Sequence, residues 1–237
     1  MIYLVWAGVS KPGPAVPAGW MMTLIRTLFS VAAFLLMAAL APHSALAAPD
    51  ELTVARNTVQ AAVDEGLDRF VGKSYSLAER TRLLDGLLRR YTDPSMLSSA
   101  MLGRYWGKIT PAEQAAFTDT FMRYLVSSYV GLLKNLQAGT RVQVGEAVDL
   151  GARIRVFSIA HMPSDPTVGV PVDWDVAPAP DGRPVIMDVS AEGVSIIRAM
   201  REDFASVLRG SGGRIAPLMD ALQRKIEAND RDNMVGQ

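Results

Sequence analysis

At Gly139 the apolar residues of this 237-residue chain change their period. Upstream they recur about every 3.6 residues and downstream they alternate, so a run of helices must give way to a sheet. In the first half, Asp50 or Thr53 can cap a helix carrying the stripe Leu52, Ala55, Val59, Ala62, Val63, Leu67 and Phe70, which ends near Gly72. Ser76 with Glu79 three residues on forms a capping box, and Leu83, Leu84, Leu87 and Leu88 make the buried side of the second helix. Tyr91-Thr92-Asp93-Pro94 breaks that helix, and Asp93 caps a third through Leu102. Thr110-Pro111-Ala112-Glu113 opens a long helix with Phe117, Phe121, Leu125, Tyr129, Leu132, Leu133 and Leu136 down one side and Tyr124 beside them.

Past Gly139 the alternation predicts strands at 141–148, 152–161, 168–177 and 184–191 in an antiparallel meander. The clearest is the third, where Val170, Val172, Trp174 and Val176 alternate with Pro171, Asp173 and Asp175. Asp181-Gly182 supplies the reversal that follows it. Helices return at 194–208 and, beyond the break Gly210-Ser211-Gly212-Gly213, at 215–228, with a flexible tail expected over 230–237. These elements predict an α+β domain over 48–229: a helical layer packed on a curved four-stranded antiparallel sheet.

Before that domain, Arg26, the apolar run Leu28 to Leu40 and the ending Ala45-Leu46-Ala47 read as a secretory signal peptide cleaved after Ala47. The run is too short for a bilayer-spanning helix, which needs about 20 residues. Residues 1–20 fit no targeting pattern, and translation can start at Met1, Met21 or Met22. Lys11 and Arg26 are the charges before Ala48, so the exported chain keeps 22 basic and 24 acidic residues with no dense basic run. Nucleic acid is therefore not an expected partner. Cysteine is absent, which removes disulfides, a thiolate nucleophile and cysteine-bound metal from consideration.

Groups suited to catalysis are sparse. His161 is the one imidazole of the exported chain and reads as a loop residue at a strand end. Ser195, in Glu192-Gly193-Val194-Ser195, lacks the second glycine of a nucleophile elbow and reads as a helix cap. Asp173, Asp175 and Asp188 could serve a secreted hydrolase as paired carboxylates. The blander expectation is a solvated sheet face on which they pair with Arg153, Arg155 or Arg183. A non-catalytic envelope protein that binds other proteins is a further alternative. No cofactor is expected, no metal set has the needed spacing, and the glycine run at 210–213 lacks a phosphate-loop ending.

What remains is apolar surface, and it points to holding an apolar guest rather than to catalysis. Two acyl chains hold roughly 30 methylenes, whose exposure to water costs on the order of 24 kcal/mol at about 0.8 kcal/mol each, so such a guest needs a dry cavity. Candidate lining residues are Tyr105, Trp106, Phe121, Tyr124, Leu125 and Tyr129 from the helices, facing Ile154, Val156, Val170, Val172, Trp174 and Val189 from the sheet. Methionines scattered beyond Leu88 could make an adaptable lining.

Two segments carry a resemblance. Leu102-Gly103-Arg104-Tyr105-Trp106 with Thr110-Pro111 and the series Phe117, Phe121, Leu125, Tyr129 is followed by Val170-Pro171-Val172-Asp173-Trp174, Asp188-Val189, Glu192-Gly193-Val194-Ser195, Phe204 and Leu208. Together, in this order, they resemble the MlaC family of periplasmic phospholipid carriers over about 52–226. The resemblance implies helices over a curved antiparallel sheet enclosing a pocket for acyl chains, with the headgroup near solvent. It also implies a monomeric carrier shuttling between an outer-membrane lipoprotein complex and an inner-membrane ABC transporter complex. A hopanoid-associated branch, HpnM, would carry a polycyclic lipid instead. The Met162-Pro163-Ser164-Asp165-Pro166 turn and the Pro/Ala-rich turn at 176–184 are departures that alter rims, and they leave cargo and docking partner open.

Overall fold

Helix starts in this protein are set by side chains that accept the first free backbone N–H groups. In a computed structural model that describes residues 50–134 and 136–235, Asp50 accepts from Leu52 N at the start of α1 (Glu51–Phe70). The expected signal peptide lies outside the described residues. Ser76 and Glu79 close a reciprocal capping box on α2 (Leu77–Tyr91), and Asp93 caps α3 (Pro94–Leu102) by accepting from Met96 N at 2.8 Å. A 3-10 segment, Gly103–Lys108, leads to α4 (Pro111–Leu133), opened by the Thr110–Glu113 capping box and proline in its first turn.

The sheet is a meander in sequence order: β1 (Arg141–Asp149), β2 (Ile154–Met162), β3 (Asp165–Pro178), β4 (Pro184–Ala191) and β5 (Val194–Ser195), each antiparallel to its neighbour. Five strands replace the expected four, because Ser190 and Ala191 pair with Ser195 and Val194 before the chain turns helical. Two residues are too few to show alternation, so sequence reasoning assigned them to the helix. Register shifts in β1 between Val144 and Ala147, and between β3 and β4 opposite Asp175 and Val176, bend the sheet.

Ser195 then caps α5 (Ile196–Gly210), its hydroxyl accepting from Arg198 N at 2.9 Å. The last helix, α6 (Ala216–Val235), runs well beyond the expected end. Asn229 donates to the Ser127 and Ser128 hydroxyls at 3.2 and 3.1 Å, and Asn233 donates to the Ser127 carbonyl at 2.9 Å. These bonds tie the final turns of α6 to α4, so residues 230–235, expected to be a flexible tail, are helical.

Strand side chains alternate between faces. One face of the sheet, carrying Val144, Val156, Val176 and Ile186, packs under Ala55, Val59, Ala62 and Val63 of α1. A second core lies among the helices: Phe117 and Phe121 of α4 stack at 5.7 Å between centroids, and Phe204 of α5 meets both edge-on at 6.3 and 6.0 Å. A third cluster, with Phe70, Leu84, Val126 and Val130, joins α1, α2 and α4. His161 lies within β2 rather than in a loop, paired with Arg141 and Gly169, and its Nδ1 is buried with no hydrogen bond among the described residues.

Candidate functional site

Between α1, α2 and the apolar face of the sheet lies a hollow of about 300 Å³. Its helical wall is Ala62, Val63, Gly66, Leu67 and Phe70 of α1 with Leu87, Leu88 and Tyr91 of α2. Leu133 and Leu136 close one end, and Val142, Trp174, Ile186 and Val189 form the sheet wall. Met162, 39% exposed, sits on the rim. The space exists because α1 presents small residues here. Gly66 occupies the stripe between Val63 and Phe70, and a Cβ added there would come no closer than 3.8 Å to Leu87 Cδ2.

The sheet wall is held in one rotamer by a polar pair. Trp174 Nε1 donates to Ser158 Oγ at 2.9 Å, and Ser158 donates to the Val172 carbonyl at 2.7 Å. The indole thus keeps its one donor satisfied while its rings face the hollow. Beside the helical wall, Glu65 collects donors: Tyr91 Oη at 2.9 Å, Arg69 Nε at 2.8 Å and Arg90 Nη1 at 2.7 Å. Burial alone would raise the Glu65 carboxyl, but these hydrogen bonds outweigh it and hold the group below its usual range. Tyr91 moves up, first from burial and then from donating to a carboxylate. This network ties α1 to α2 where both wall the hollow.

Of the twelve residues expected to line one cavity, Trp174 and Val189 do so. The structure places the other ten outside this hollow. Tyr105, Phe121 and Leu125 are buried in the helical core, with Trp106 and Tyr124 packed against it. Tyr129 bridges that core and the third cluster, and burial pushes its phenol up. Val156 and Ile154 pack under α1 away from the hollow, Ile154 lining a separate depression near Glu51 and Pro178. Val170 and Val172 lie farther along β3, opposite Ala160 and Ser158. The physical reason is layering: α4 packs against α2, α3 and α6 and meets Phe204 of α5 through its phenylalanines, whereas α1 and α2 stand over this face of the sheet. Sequence reasoning missed the α1 and α2 residues as a wall, although Gly66 within an apolar helical stripe was a usable signal, since glycine there costs about 1 kcal/mol of propensity.

The aspartates have other work. Asp175 is buried, accepts from Arg155 Nε and Nη2 at 2.8 and 3.0 Å, and forms an ion pair with Arg153 Nε at 2.8 Å. Hydrogen bonding to Asp175 raises the Arg155 pKa. Asp188 accepts from the Ser195 hydroxyl and, at 3.1 Å, from Ile197 N, which spends both oxygens on the start of α5. The pairing expected for Arg153 and Arg155 is present, but Arg183 instead donates to the Arg90 and Thr92 carbonyls at 3.0 and 3.4 Å, with Asp181 at 3.7 Å.

A family model described as MlaC protein matches residues 59–224. Among solved structures, the fold is shared with a phospholipid-binding protein from Ralstonia solanacearum determined in complex with a phospholipid. The TM-score is 0.65 and the identity 23%, over 74% of this chain and 98% of that one.

Proposed function

This chain belongs to the MlaC family, and on that premise we propose that it is a periplasmic phospholipid carrier whose acyl-chain site is the hollow between α1, α2 and the sheet. The observation that carries the reading is that hollow, walled by aliphatic and aromatic side chains from α1, α2, the end of α4 and four strands of the sheet. Its volume of about 300 Å³ is at the lower end of ligand pockets, which span roughly 300–1,000 Å³. A two-chain lipid therefore widens it, moving α1 and α2 outward from the sheet. The headgroup stays at the rim beside Met162, so its charge is never desolvated.

No bond is made or broken in this cycle. The carrier takes the lipid from an outer-membrane lipoprotein complex or an inner-membrane ABC transporter complex and yields it to the other. Because affinity must differ between the free and docked protein for unloading to occur, contact with the receiving partner lowers the affinity of the hollow for lipid. Native mass spectrometry of protein purified from the periplasm should find one phospholipid per chain. Val189→Asp, which puts a charge into the sheet wall, should purify lipid-free with an unchanged far-ultraviolet circular dichroism spectrum. Lipid-free wild-type protein, or full loading of the Val189 variant, would overturn the reading.

A further inference from the structure

The strands that wall the hollow have a second, chemically different cavity on their reverse. Because side chains alternate, Trp174 and Val189 face α1 while Asp173, Asp175, Asp188 and Ser190 face the other way, toward α3 and α5. There a cleft of about 480 Å³ opens between the sheet and those helices. Its apolar lining includes Met96 and Ala100 of α3, Met187 of β4 and Ile197 of α5.

The charges in this cleft divide into two sets. Asp175 is bound by Arg153 and Arg155, and Asp188 by Ser195 and the Ile197 backbone, so these groups serve the fold. Arg198 and Arg201 also line the cleft, one turn apart on α5, and are exposed. Neither guanidinium has a hydrogen-bond or ion-pair partner among the described residues. Arg201 lies against Gly103, whose φ is 52° and whose added Cβ would meet Arg201 Nη2 at 2.8 Å. The 3-10 segment therefore has glycine where the arginine passes, and any side chain there would displace it. Asp173, the third aspartate of the lining, also has no hydrogen-bond or ion-pair partner among the described residues, so two free guanidiniums stand against one free carboxylate, and with four arginines against three aspartates the net charge of the cleft is positive.

We propose that this cleft is a docking site for an acidic, amphipathic peptide segment of a partner protein. Apolar side chains of the segment settle on the methionine and alanine lining, where flexible thioethers adapt to them. Its carboxylates pair with Arg198 and Arg201, which offer planar, bidentate donors. The cleft is concave and contains three aspartates, which disfavours a flat anionic bilayer, and its apolar lining gives nothing to a small free anion. The site is independent of the lipid hollow and does not require that hollow to be loaded.

The test uses a fluorescein-labelled helical peptide of glutamate and leucine, its lysine–leucine counterpart, inorganic phosphate and phosphatidylglycerol vesicles, each titrated against the purified protein. Anisotropy should show the acidic peptide binding with an affinity that falls with salt, and the lysine peptide not binding. The double variant Arg198→Glu/Arg201→Glu should weaken the acidic peptide by at least about tenfold, while Arg198→Lys/Arg201→Lys recovers part of it. Val189→Asp should bind the peptide as the wild type does, which separates failure here from failure of the lipid reading. Equal binding by the charge-reversed variant, loss of peptide binding in the Val189 variant, or an arginine-dependent response to vesicles or phosphate without one to the peptide would each overturn the assignment.

Discussion

Where α4 crosses α5, Phe117, Phe121 and Phe204 meet ring against ring at 5.7 to 6.3 Å, whereas across the sheet Ala62 and Gly66 of α1 look toward Trp174 and Val189 over open space. Both layers are built from apolar stripes. The helical layer puts large rings on every element at the crossing, so they interdigitate to the density of a solid. The sheet layer pairs a large side chain on one wall with a small one on the other, and the mismatch is left as volume. Total apolar content does not distinguish a filler from a receptacle; the pairing of sizes across an interface does.

That contrast yields three tests of graded size. Phe121 is fully buried, so Phe121→Ala should lower stability by about 3–5 kcal/mol in urea unfolding. The folded fraction should keep its lipid content, and a variant that lost lipid while keeping its stability would reverse the roles assigned to the two layers. Gly66→Leu should do the opposite. It replaces a helical glycine where 3.8 Å separates an added Cβ from its neighbour, so stability should hold or rise by about 1 kcal/mol while the side chain fills the hollow and excludes lipid. Undiminished lipid in that variant would mean the receptacle lies elsewhere.

The smallest effect concerns the clasp between α1 and α2. The folded-state pKa of Glu65 is lowered, because donation from Tyr91, Arg69 and Arg90 outweighs the upward push of burial. A lowered carboxyl contributes stability above its unfolded pKa and loses it as pH falls through the folded value. Acid unfolding of the wild type should therefore include a component, below the ordinary glutamate range, that Glu65→Gln removes. Matching acid profiles of the two proteins would show that the clasp contributes nothing to holding α1 on α2.

Local features of this fold were readable because their causes are local. Ser76 with Glu79, Asp93, and Thr110 with Glu113 start their helices where expected, since a cap is a hydrogen bond within three residues. β4 spans Pro184–Ala191 as its alternation predicts, between the Gly182 turn and the reversal at Gly193. β5 and the end of α6 were missed for the same reason in reverse: a two-residue strand has no period, and the last turns of α6 owe their order to Ser127 and Ser128, about a hundred residues away.

The site was less legible than the fold. Phe121 and Trp174 are each the aromatic centre of an apolar stripe, and nothing in either stripe says that one belongs among helices and the other beside a void. The sequence by itself determined which residues are apolar, where helices and strands begin, and that a helical layer would cover a curved antiparallel meander. Which helix covers which face, and hence that α1 and α2 rather than α4 stand over the sheet, was decided by the tertiary structure. Backbone hydrogen bonds and caps act between neighbours in the chain, whereas a cavity is the gap between side chains that meet only when distant elements pack.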